Sequence, residues 1–181
     1  MEVLSPQSRS FDRMVVVGAA AKEILRSLLE RCGYRIYPFG YESSLATLKV
    51  HMRDKNFVDS AIIHRIRSMP DFLVASDEDL KLVEVKFRKS IIGDDGQVGI
   101  FLKNSDISKY REYWGESHVV LLSPHGERFF SLPVREMVPG TKESKWFNLT
   151  SFIPLQKLFP KTDGKTEAFY TAIDKLTGLW D

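Results

Sequence analysis

Three residues able to do phosphate chemistry stand in the middle of the sequence. Asp71 follows Pro70 directly, and Glu84 and Lys86 lie in the run Leu82-Val83-Glu84-Val85-Lys86-Phe87-Arg88. In an extended strand, residues two apart share a face. Glu84 and Lys86 therefore point one way, and Val83, Val85 and Phe87 point the other, into apolar packing. Residues 71–76 read as one strand and 80–88 as the next, joined by the acidic turn Asp77-Glu78-Asp79. A four-residue turn over 76–79 pairs Ala75 with Leu80, Leu73 with Leu82, and Asp71 with Glu84. Directly opposite Cβ atoms lie roughly 4.5–5.5 Å apart. Two carboxylates that close resist joint ionisation. A hard divalent cation removes the repulsion, and Mg²⁺ (or Mn²⁺) is satisfied by one or two carboxylates together with waters and phosphate oxygens. An ammonium alongside, that of Lys86, can orient the attacking water or stabilise charge developing on a phosphate. Such a kit suffices for phosphodiester hydrolysis. A turn one residue longer or shorter would carry Asp71 to the wrong face.

The elements that must position these residues follow from periodicity. From 15 to 32, Val17, Ala20, Ala21, Ile24, Leu25, Leu28 and Leu29 keep helical spacing, and Gly33 stands where the helix would end. Residues 1–13 read as a leader. Residues 34–39 read as a strand, which Pro38 assigns to an edge or a strand end. A second helix is expected over 55–68, stopped by Pro70. After the hairpin comes a glycine-rich acidic loop, 93–99, then a helix over 105–114 capped by Ser105 or Asn104. A second hairpin follows over 118–123 and 128–132. The proline-punctuated remainder, 133–181, ends in a helix over 165–176. This order predicts an α/β domain with a mixed central sheet flanked by helices.

Pro70-Asp71, a gap of twelve residues, and Glu84-Val85-Lys86 resemble the PD-(D/E)xK nuclease superfamily, which includes restriction endonucleases and archaeal Holliday-junction resolvases. The resemblance covers roughly 14–132 and implies a restriction-endonuclease-like core, with 41–68 as an insertion and 133–181 as an extension that packs on the core or forms a dimer interface. It implies that Asp71 and Glu84 bind the metal and that Lys86 is the catalytic lysine. The first helix of the family often supplies a further acid, for which Glu23 is the best match and Glu30 the rival. One branch carries Gln-x-x-x-Tyr on the second helix; here Tyr110 is present, but Asp106 stands at the glutamine position. The function implied is a divalent-metal-dependent nuclease acting on DNA, in repair, recombination or restriction. The alternative is a catalytically silent nuclease-fold subunit that binds DNA or serves assembly.

Each feature has a plainer reading. Glu84 and Lys86 could line a solvated strand face, and Asp71 after a proline could be turn chemistry. A lone helical glutamate such as Glu23 is usually a surface residue. The chain has 26 Lys and Arg against 24 Asp and Glu, a formal net charge of +2 over 181 residues. That excess excludes binding by bulk charge, so nucleic acid must be met by local patches. Arg53, Lys55, Arg65 and Arg67 ahead of the motif, Arg88 and Lys89 at its end, and Lys109 on the next helix are the candidate phosphate contacts. The single cysteine, Cys32, excludes an internal disulfide framework and reads as structural. No apolar run is long enough for a membrane helix and the start lacks a secretory pattern, so a cytoplasmic location is expected. The 93–99 loop lacks calcium-ligand spacing, and no histidine–cysteine cluster has zinc spacing. The aromatic-rich tail, including Trp146, Phe147, Phe152 and Phe159, fits core packing or the interface of a homodimer.

Overall fold

The computed structural model describes residues 6–41, 61–93 and 96–180. The first helix, α1, spans Pro6–Arg31, so it begins well before the expected residue 15. Proline fits the first turn of a helix because its missing N–H has no intrahelical partner there. Residues 6–13, expected as a leader, are thus part of α1. Val17, Ala21, Leu25, Leu28 and Leu29 form its buried stripe. Gly33 ends the helix with a φ of 83°, a conformation natural to glycine. Its N–H bonds the Glu30 carbonyl and that of Tyr34 bonds the Leu29 carbonyl, closing the last turn.

Strand β1 (Arg35–Pro38) follows, and α2 (Ala61–Arg67) precedes the motif. The expected start of that helix, and the rest of the anticipated insertion, lie outside the described residues. The motif hairpin consists of β2 (Phe72–Ala75) and β3 (Leu80–Phe87). Next come β4 (Ile91–Ile92), β5 (Val98–Lys103), α3 (Asn104–Trp114), β6 (His118–Leu122) and β7 (Phe129–Pro133). The C-terminal part adds β8 (Ser144–Asn148), β9 (Ile153–Pro154), α4 (Leu155–Leu158) and α5 (Tyr170–Trp180).

Among the described residues, six strands form a mixed sheet in the order β1-β2-β3-β6-β7-β9. Only β3 and β6 are parallel within it. Strand β1 lies at an edge, as Pro38 requires. One face carries α1 and α5, which enclose Leu25, Leu28, Val83, Val85, Phe87, Val120, Leu122 and Ile173. The other face carries α3 and a second sheet, enclosing Ile100, Leu102, Ile107, Val119, Leu121 and Phe147. The two central strands are buried on both faces, which is why β6 reads His-Val-Val-Leu-Leu rather than alternating. Each fully buried leucine or phenylalanine in these layers contributes about 1.5–3 kcal/mol. Leu155, Leu158, Phe159, Ile173 and Leu176 belong to the α1 core, so the C-terminal part packs onto the sheet.

Two local expectations are corrected. The second sheet, β4-β5-β8, was not anticipated, because Gly93, Gly96 and Gly99 make the sequence read as loop. Gly99 instead sits inside β5, where a Cβ would come within 2.3 Å of the Trp146 indole. Helix α3 also lacks the expected side-chain cap. Lys103 takes the cap position, and the Asn104 amide reaches across to the Lys142 carbonyl and the Gly140 N–H. Among the described residues no helix is long and apolar enough to cross a membrane.

Candidate active site

The β2–β3 turn fixes the register. The Ser76 N–H donates to the Asp79 carbonyl at 2.9 Å, and the Ser76 hydroxyl accepts from the Asp79 and Glu78 N–H groups. Ala75 therefore pairs with Leu80, Leu73 with Leu82 and Phe72 with Val83. This is the register that the four-residue turn predicts. One step further along the hairpin, Asp71 and Glu84 come to its open end. Val83, Val85 and Phe87 enter the α1 core, which leaves Glu84 and Lys86 facing α3.

Both carboxylates are withdrawn from solvent. The Asp71 side chain is 11% exposed and that of Glu84 is 7% exposed. Asp71 closes the open end of the hairpin with its backbone and its side chain. Its carbonyl accepts from the N–H groups of Phe39 and Gly40, where β1 leaves the sheet. Its Oδ2 accepts the Val85 N–H at 2.8 Å, and its Oδ1 meets the Lys22 Nζ at 2.5 Å. Burial pushes the Asp71 carboxyl up to about 6, and the neighbouring Glu84 charge adds to the rise; Lys22 and the Val85 N–H oppose it. Glu84 Oε1 accepts the Tyr110 hydroxyl at 2.6 Å and meets the Lys86 Nζ at 2.7 Å. Burial works against a charged Lys86, yet Glu84 and Tyr110 outweigh it and hold the ammonium well above its ordinary value. The Tyr110 phenol is likewise driven up, by burial first and then by the Glu84 charge. Lys86 also lies 5.4 Å from the Tyr110 ring centre.

The structure therefore gathers Asp71, Glu84 and Lys86 at one place, and adds Tyr110 and Lys22. Tyr110 was visible in the sequence only as half of a helix motif. Lys22 carried no signal except its position next to Glu23. Glu23 itself is corrected. Its side chain is 64% exposed and paired with Arg26 at 3.6 Å. Successive helical residues are rotated by about 100°, so Lys22 and Glu23 cannot both face the hairpin. The rival Glu30 is also exposed and bonds Arg26 at 3.1 Å. Among the described residues no cluster of three or more histidine, cysteine, aspartate or glutamate side chains gathers to hold a metal.

The expected phosphate contacts divide. Arg53 and Lys55 lie outside the described residues. Arg65, Arg67 and Lys109 are exposed on α2 and α3, with Arg65 5.6 Å from the Trp114 ring centre. Arg88 is turned inward, its guanidinium donating to the Phe87 carbonyl, and burial lowers its affinity for the proton. Lys89 is half-buried.

The donor set fits a small hard dication. Burial and the neighbouring Glu84 charge make an ionised Asp71 costly, and two carboxylates leave room for waters and phosphate oxygens around such an ion. No protein-family model matches the chain, and no curated protein matches it. Among solved structures, the chain is similar to Hjc, a Holliday junction resolvase from the archaeal hyperthermophile Archaeoglobus fulgidus. The two share 15% identity over 78% of this chain and 93% of that chain, with a TM-score of 0.47.

Proposed function

We propose that this chain is a divalent-metal-dependent nuclease that hydrolyses phosphodiester bonds in DNA. The observation that supports this reading is the convergence of buried Asp71 and Glu84 with the Lys86 ammonium at the open end of one hairpin. Asp71 and Glu84 would hold a Mg²⁺ or Mn²⁺ ion, which when bound polarises a phosphate and activates water. Lys86 keeps its proton, so its role is electrostatic: it orients the nucleophilic water and stabilises negative charge growing on the phosphate. Tyr110 fixes Glu84 by donating to Oε1, which leaves the rest of that carboxylate for the ion. Exposed Arg65, Arg67 and Lys109 would guide the sugar-phosphate backbone toward the hairpin. A two-fold dimer would present one such site to each strand of a duplex. A cytoplasmic location, where DNA and free Mg²⁺ meet, completes the reading.

One observation favours a second reading, a silent DNA-binding subunit. Each carboxylate is already paired with an ammonium, Asp71 with Lys22 and Glu84 with Lys86. The deciding experiment offers labelled duplex, branched and single-stranded DNA, and an RNA control, to the purified protein with Mg²⁺ or Mn²⁺. Cleavage that disappears in Asp71→Asn and in Glu84→Gln supports the nuclease. DNA binding that is indifferent to metal and to Glu84→Gln, with no cleavage of any substrate, supports the silent subunit.

A further inference from the structure

Lys22 is the least expected member of the site, and its position is specific. Asp71 has two oxygens. Oδ2 spends one of its lone pairs on the Val85 N–H of the adjoining strand, so Oδ1 is the oxygen with the greater capacity for a metal ion. Lys22 Nζ stands on that same Oδ1, at 2.5 Å. With Lys86 on Glu84, the metal-free site is balanced: two carboxylates, two ammonium groups. The two lysines differ in exposure: Lys86 is 20% exposed, whereas Lys22 is 38% exposed and rises from a helix turn anchored by buried Ala21 and Leu25. Its backbone is fixed, but its four-carbon stem can swing over several ångströms about single bonds.

We propose that Lys22 is a resident counter-cation of Asp71: it stands in for the metal when the site is empty, and when the ion enters it turns outward to bind a backbone phosphate of the DNA. This rests on the metal-nuclease reading and adds a residue and a sequence of events to it. Two ammonium groups and one dication exceed two carboxylates by two positive charges. The loaded site therefore attracts phosphates more strongly than the empty one. The exchange links metal to substrate: the ion displaces Lys22 from Asp71, and the displaced ammonium adds to the hold on DNA. Binding of either favours the other.

The test measures Mn²⁺ binding without DNA, by calorimetry, for the wild-type chain, Lys22→Met, Lys22→Arg and Asp71→Asn. Removing a competitor that makes a charge-assisted bond to Oδ1 should tighten Mn²⁺ binding about tenfold in Lys22→Met. Lys22→Arg, which keeps a cation on Asp71, should stay near wild type. A merely structural lysine would not give a gain of affinity. The second measurement is binding of a labelled DNA duplex in Ca²⁺. Here Lys22→Met should bind several-fold more weakly than wild type, with Lys22→Arg restoring most of the loss. If Lys22→Met binds Mn²⁺ no tighter than wild type while Asp71→Asn binds none, the counter-cation role is overturned and the metal site stands. If no chain binds Mn²⁺, both the role and the nuclease reading are overturned.

Discussion

The motif hairpin carries the same short pattern at both ends. Asp79-Leu80-Lys81 opens β3 at the turn, and Glu84-Val85-Lys86 repeats the pattern five positions later, on the opposite alternation. Each is an acid and a lysine two residues apart on one face, and each forms an ion pair. Their surroundings differ. Asp79 is 55% exposed and Lys81 27% exposed, against 7% for Glu84 and 20% for Lys86. At the turn, the Lys81 ammonium and the Leu80 N–H hold the Asp79 carboxyl below its ordinary range. At the open end, burial lifts Asp71 to about 6 beside Glu84. The turn pair is a solvated ion pair of small worth. The other pair is a desolvated cluster in which any unmatched charge is costly. Spacing alone does not separate the two; cover does.

The contrast can be broken most severely at the carboxylates. Asp71→Asn or Glu84→Gln should lower Mg²⁺-dependent DNA cleavage by about 10³-fold or more, whereas Asp79→Asn should stay within about twofold, read as initial rates on one substrate. The lysines come next. Lys86→Met should cost roughly 10²–10³-fold in kcat with little change in KM, and Lys81→Met should leave both near wild type.

The two ends should also answer pH with opposite signs. Folded Asp71 holds its proton up to about 6, while the unfolded chain releases it near 3.8. Between those values the folded state binds more protons, so stability of the metal-free protein should fall as pH rises through that window. Asp71→Asn should remove the fall in urea melts taken across it. Asp79 is depressed, so its contribution is present above 3.8 and is lost as pH drops below. Metal binding should tighten as pH rises through about 6, because Asp71 must shed its proton to serve as a ligand. The smallest effects concern the supports. Tyr110→Phe removes the donor to buried Glu84 and should cost about 1–3 kcal/mol. Ser76→Ala removes an exposed acceptor of two turn N–H groups and should cost about 0.5–1 kcal/mol, both read from urea midpoints.

Much of the frame was written locally. The apolar stripe of α1, the glycine that ends it, the alternation of β3 and the length of the Ser76–Asp79 turn depend on neighbours within a few residues, and those neighbours are the sequence. Even the Phe72–Val83 register next to Asp71 and Glu84 follows, because strand pairing has a period of two and the turn sets its phase. The start of α1 and the strand β5 were misread where proline and glycine mark element ends in general. Here they serve a first helical turn and a close approach by Trp146.

The residues themselves therefore determined that two carboxylates and a lysine share one end of a hairpin. Tertiary structure alone decided which other groups join them. Tyr110 comes from a helix twenty-six positions beyond Glu84, and Lys22 from one far upstream of Asp71. Whether Lys22 or Glu23 meets Asp71 depends on how α1 is rotated when Leu25, Leu28 and Leu29 seat on the sheet. That rotation is set by packing across the whole core, which no short window of sequence contains.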